Sequence, residues 1–187
     1  MLTDRHAIFN KIETATAESK LLTSSAQNIR VLLAGAPSNF YVRVVGELIA
    51  ADQWSELNDR FYKTLAFGTG GLRGRTIGKV VAPSERGTTT KGALTEERPE
   101  FPCVGTNAMN FFNISRATQG LVAYLQDWHT REKIATKPKL VIAHDTRFFS
   151  QDFADLTARI ASENGCDAFV FDGPRSTPEL SFAVRNL

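Results

Sequence analysis

Apolar and polar positions alternate with two different periods along this chain, and the change of period divides it. Ile8, Phe9 and Ile12, then Leu21, Leu22, Ile29, Leu32 and Leu33, recur at helical spacing, so residues 3–34 are expected to form one or two helices. Gly35-Ala36-Pro37-Ser38 breaks the pattern. Phe40, Tyr41, Val44, Val45, Leu48 and Ile49 then make one wide apolar helix face. Trp54, Leu57, Phe61 and Leu65 continue the period, with Asp52 as the expected N-cap. Residues 1–65 thus read as a helical N-terminal extension.

Beyond residue 75 the pattern loosens. Ile77, Val80 and Val81 predict a short strand or hairpin arm within 76–82, and residues 83–103 form a polar stretch without period, read as a mobile surface insertion. Asn107 is the expected cap of a helix to about Trp128, with Met109, Phe112, Ala117, Leu121, Tyr124, Leu125 and Trp128 facing inward and close packing at Gly120. Strand and helix then alternate: a strand at 140–144, a helix capped by Ser150 and ended at Gly165, a strand at 168–171, and a helix capped by Thr177, with Pro178 at its first position and Leu180, Ala183, Val184 and Leu187 on one face. Two apolar strands around a helix predict a βαβ unit in a largely parallel sheet covered on both faces. The fold class is α/β.

Composition adds little direction: 187 residues, 42% hydrophobic and 22% charged, with 22 basic against 20 acidic side chains. A net charge of +2 supplies no field toward nucleic acid or membrane. Cys103 and Cys166 lack paired spacing, which speaks against a disulfide framework or zinc site, and the polar N-terminus is no signal peptide. A cytoplasmic protein is expected. The series of strands and helices breaks off in an amphipathic helix at Leu187, which reads as a piece of a longer protein.

Chemistry concentrates in three loops. Ala66-Phe67-Gly68-Thr69-Gly70-Gly71-Leu72-Arg73-Gly74-Arg75 joins glycines, a hydroxyl and two guanidinium forks, a composition suited to an anion cradle. His144-Asp145-Thr146-Arg147 and Asp172-Gly173-Pro174-Arg175-Ser176-Thr177 each put an Asp, an Arg and a hydroxyl at a strand end, where open α/β sheets gather ligands. The plainer alternative for Asp145 and Arg147 is a charge pair that caps the next helix. His144 reads as a sheet residue, not a base. No GxSxG, HExxH, phosphate-binding lysine loop, dinucleotide fingerprint or paired-aspartate metal motif occurs.

Taken in order, Phe67-Gly68-Thr69-Gly70-Gly71-Leu72-Arg73-Gly74, Met109-Asn110 with Arg116-Ala117-Thr118-Gln119-Gly120-Leu121, Val141 to Arg147, and Thr177 to Arg185 resemble the N-terminal part of the α-D-phosphohexomutases, the phosphoglucomutase/phosphomannomutase superfamily, over residues 50–187. The long helical N-terminus is similar to the phosphopentomutase-like branch, and 83–103 departs from the pattern. The resemblance implies a three-layer α/β/α domain I over 66–187 with a mixed, largely parallel sheet. It also implies conversion of hexose or pentose 1-phosphate to 6- or 5-phosphate through a phosphoserine and a bisphosphorylated intermediate, with Mg²⁺. Thr69, Gly70 and Arg73 would lie beside the phosphoserine, with Asp145 and Arg147 supporting that region. The family's serine, metal and sugar loops have no counterpart here, so no residue of this chain is expected to be the catalytic serine or a metal ligand, and the chain alone is expected to be inactive. Expected partners are sugar phosphates and the enzyme's remaining domains, without nucleic acid or membrane. A non-catalytic sugar-phosphate-binding or regulatory module is the alternative, and an unrelated nucleotide-binding α/β domain a third reading.

Overall fold

The computed structural model describes residues 4–36, 38–68, 71–88 and 98–187. These form a helical N-terminal region followed by an α/β region with a small parallel sheet, in two compact units, Met1–Asn110 and Phe111–Leu187.

In the first unit α1 (Arg5–Ala17) starts at Asp4, whose carboxylate accepts from the His6 and Ala7 N–H groups. It is followed by α2 (Thr23–Gly35) and by α3 (Asn39–Ala50), which Ser38 caps. α4 (Trp54–Phe61) completes the helical set. The apolar stripes expected from the spacing meet in one core: Ile8, Ile12, Ile29, Leu33, Val44, Val45, Leu57 and Phe61 have no solvent exposure. Burying each such side chain contributes about 1.5–3 kcal/mol, which is what turns marginal 8–13-residue helices into a stable layer. Asp52 does not cap α4. Its φ is +51°, and its carboxylate accepts instead from the Trp54 indole N–H at 3.1 Å.

The glycine segment makes a two-stranded antiparallel hairpin, β1 (Phe67–Gly68) and β2 (Gly71–Leu72), with Gly71 at φ +94°. The strand expected over 76–82 does not form. Those residues run in bends, where the Thr76 carbonyl accepts from the Cys103 N–H and the Val80 carbonyl from Arg60, and they pair with no strand. Nor is 83–103 a loop lying wholly on the surface. α5 (Pro83–Arg86) occupies its start, and Glu85 and Cys103 are buried. Residues 89–97 lie outside the described residues.

The second unit opens with α6 (Phe111–Arg131). Parallel strands β3 (Lys139–Ile142) and β4 (Asp167–Val170) pair in register, Lys139 opposite Asp167 and Ile142 opposite Val170. α7 (Ser150–Glu163) links them and packs on α6, and α8 (Thr177–Asn186) packs on β3. Val122, Ala161 and Cys166, with Leu140 and Ala168, form its core, and Phe111, Phe149 and Phe153 stack beside α7.

Several local expectations shift. α6 buries Asn113, Thr118 and Val122, whereas Leu121, Tyr124 and Trp128 are exposed, and a Cβ on Gly120 would meet nothing within 4 Å. α7 is preceded by Phe149 at φ +67°, and Ser150 turns its hydroxyl back to the Asp145 N–H. The cap of α8 is Ser176, one residue before the expected Thr177, in a reciprocal box with Glu179. Gly165 follows α7 at φ +83°, as expected of a residue just past a helix end. The two strands leave Phe169 and Val170 exposed, so this sheet is not fully covered.

Candidate functional site

The site in the first unit grows from the charged face of α4. Glu56, Asp59, Arg60 and Lys63 follow one another at i, i+3, i+4 and i+7, which sets them along one side of the helix and its end. Arg60 is buried: its Nε–H donates to Glu56 Oε1 at 2.7 Å, and its two terminal nitrogens donate to both Glu85 oxygens and to the Val80 and Val104 carbonyls. Glu85 also accepts from the Ala82 and Val104 N–H groups, so all its lone pairs are engaged. Burial disfavours the Arg60 charge, but the Glu85 and Glu56 carboxylates outweigh it and hold the guanidinium above its ordinary value. Burial likewise pushes the Cys103 thiol up to about 12, against the pull of Arg60, so Cys103 is a neutral packing residue.

Around this ion cluster the 103–110 segment ties down the end of α4. Asn107 donates through its backbone to the Arg60 carbonyl at 2.9 Å and through its side chain to the Asp59 carbonyl at 3.1 Å. Asn107 therefore satisfies carbonyls left open at the C-terminus of α4 and does not cap α6. Thr106 does the same for Lys63, its hydroxyl donating to that carbonyl at 2.7 Å. The Met109 N–H donates to the Arg75 carbonyl at 2.9 Å, and the Cys103 N–H to the Thr76 carbonyl at 2.8 Å, so the exit of the glycine segment is stapled to the same strip of chain. Arg75 is held at its other end, 2.5 Å from Asp59 Oδ2 and 3.7 Å from Glu56 Oε2.

These constraints leave an open cleft of about 270 Å³ lined by Asp59, Arg60, Tyr62, Lys63, Arg73, Gly74, Arg75, Cys103, Asn107 and Ala108. It combines fixed backbone, two cations locked by carboxylates, and two further cations, Arg73 and Lys63, a composition that can receive an anion. Thr69 and Gly70 lie outside the described residues. Lys63 and the carboxylates behind it escaped the sequence reading. Their signal was the charged i, i+3, i+4, i+7 series on α4, overlooked because the same helix carries a clear apolar stripe.

In the second unit Asp145 and Arg147 come together at the end of β3. Arg147 donates to Asp145 from its backbone at 3.0 Å and from Nε at 2.6 Å. Partial burial raises the Asp145 pKa, but hydrogen bonds from Arg147 and Ser150 more than offset it and hold the carboxyl below its usual range. The Arg175 N–H donates to the His144 carbonyl at 3.0 Å, which joins the two strand-end loops, and Arg175 pairs with Asp172 at 2.8 Å. His144 is buried with Nδ1 3.1 Å from the Asp145 carbonyl. Among the described residues no three His, Cys, Asp or Glu side chains gather as a metal site. Among the same residues no helix is long and apolar enough to cross a membrane.

Residues 103–187 match the family described as phosphoglucomutase/phosphomannomutase, alpha/beta/alpha domain I. The chain is 33% identical over 132 residues to a phosphoglucomutase of Staphylococcus saprophyticus, covering 71% of this chain and 18% of that enzyme. It is 30% identical over 154 residues to a phosphoglucomutase of Staphylococcus epidermidis, covering 80% of this chain and 22% of that one. The chain thus carries a domain I region and is distantly homologous to bacterial phosphoglucomutases over part of its length, and it spans about a fifth of the relatives it matches. No solved structure matches it.

Proposed function

We propose that this chain is the N-terminal part of a cytoplasmic intramolecular phosphotransferase of the phosphoglucomutase type, which interconverts hexose or pentose 1-phosphate with the 6- or 5-phosphate through a phosphoserine and a bisphosphorylated intermediate. The observation that carries the reading is the domain I match over residues 103–187. The role of this part is to hold a phosphoryl group that another part of the enzyme carries. Arg73 neutralises charge on the phosphoryl group as it moves. Asp145 keeps the Arg147 guanidinium in place at the end of β3. In phosphoryl transfer such positioning and charge neutralisation supply most of the rate. The serine nucleophile and the Mg²⁺ ligands belong to other segments, since the 187 residues contain neither a Ser-His-Asn loop nor an Asp-Gly-Asp loop.

Expression of the coding frame continuous with codon 187 tests this. The extended product converts glucose 1-phosphate to glucose 6-phosphate, the 187-residue chain does not, and Arg73→Met in the extended product lowers kcat/KM by about 10²–10³. Turnover by the 187-residue chain, or an unchanged kcat/KM in the Arg73→Met enzyme, overturns the assignment.

A further inference from the structure

Resting on that reading, we propose that Lys63 is the second cation of the Arg73 cleft and that the two together bind one phosphate-monoester group, making an anion subsite complete within residues 59–109. Charge accounting around the cleft leads to it. Glu56, Asp59 and Glu85 supply three carboxylates, and three cations meet them: Arg60 on Glu56 and Glu85, Arg75 on Asp59 and Glu56, and Lys79 at 3.8 Å from Asp59. Lys63 and Arg73 line the cleft with no carboxylate within ion-pair distance among the described residues. Lys63 Nζ lies 5.1 Å from the Tyr62 ring centroid, a contact that leaves its donors open to an anion. The surplus of two positive charges matches a phosphate-monoester dianion.

Size and rigidity narrow the ligand. A volume of about 270 Å³ has room for one phosphoryl group with part of its hydration and lies just below the usual range for a whole ligand pocket. The base is preorganised, because Thr106 fixes the Lys63 carbonyl and Met109 fixes that of Arg75. The cleft therefore suits the charged end of a ligand.

The test uses the full 187-residue chain, ¹⁵N-labelled and titrated separately with glucose 1-phosphate and O-phosphoserine at low salt. Both probes shift the Lys63, Arg73 and Gly74 amides, and the tighter one identifies the natural source of the phosphoryl group. Lys63→Met weakens binding about fivefold, as a half-solvated charge contact should, Lys63→Arg restores it, and Lys11→Met on α1 leaves it unchanged. Equal affinity in the Lys63→Met and parent chains overturns the role of Lys63. Absence of shifts with either probe overturns the subsite as a whole, while the enzymatic reading stands or falls on its own assay of the extended product.

Discussion

At Arg60 a charge sits where solvent does not reach, and the surrounding residues are chosen for what they leave out as much as for what they add. Gly78 is the sharpest case: a Cβ there would lie 2.0 Å from an Arg60 terminal nitrogen and 2.6 Å from Glu56 Oε1. Both atoms belong to a buried, fully engaged ion cluster, so neither can swing aside without leaving an unpaired charge. Gly78→Ala is expected to cost about 3–5 kcal/mol in denaturant unfolding, the scale of breaking a buried pair. A cost below about 1 kcal/mol would show that the cluster is loose. The Asp145 carboxyl offers a second, milder case. Its folded pKa lies below the ordinary 3.8, so its contribution to stability is present above that value and fades as pH falls through the folded pKa. The stability gap between the parent and Asp145→Asn is therefore expected to be constant at neutral pH and to shrink below pH 3.8, and a gap that is flat through the acid range would contradict it.

Among the elements, the helices were legible because their apolar residues repeat at 3.6, and α1 to α4 and α7 bury the positions the spacing selects, with Leu22 the largest exception. α6 was misread at the level of its face. Its sequence carries large apolar side chains at 121, 124 and 128, yet it packs through Thr118 and Val122 against α7, where Thr118 and Thr157 hydroxyls meet at 3.3 Å. Periodicity reports that a face exists, and hydrophobicity alone does not say which of two adjacent faces meets a partner. The caps were misplaced by one to three residues for a related reason: Asp, Ser and Asn near a helix start have several backbone groups within reach. α8 tests that point, since it buries no residue and leans on its N-terminal box. Ser176→Ala is expected to cost the helix about 1 kcal/mol, read as roughly fivefold faster amide exchange at Leu180 and Ala183, whereas Thr177→Ala leaves exchange almost unchanged. The reverse ranking would return the cap to Thr177.

For the whole molecule, the candidate site was only partly legible, because its most informative feature is a balance of charges contributed by α4, α5, the glycine segment and the 103–109 strip. No window of sequence shows that Arg60 and Arg75 are consumed by Glu56, Glu85 and Asp59 while Lys63 and Arg73 remain; only the fold brings the terms together. The same holds for the distribution of apolar surface. The first unit draws most of its large apolar side chains inward, with Leu22, Val31, Tyr62 and Phe67 as exceptions, and the second leaves Tyr124, Trp128, Phe169, Phe182 and Val184 between 36% and 64% exposed. Single exposed apolar residues are ordinary on a protein surface, but this many aromatic groups in a 77-residue unit are not. The 187-residue chain is accordingly expected to bind anilinonaphthalene sulfonate in its native state and to associate as its concentration rises. Phe182 and Val184 face solvent from α8 without contributing to its capping box, so replacing both with serine removes apolar surface and leaves the helix start intact. The double variant is expected to retain the parent's circular dichroism while losing dye fluorescence and concentration-dependent association. If the folded parent chain neither binds the dye nor associates, those side chains are covered in solution and the exposure described for the second unit is wrong.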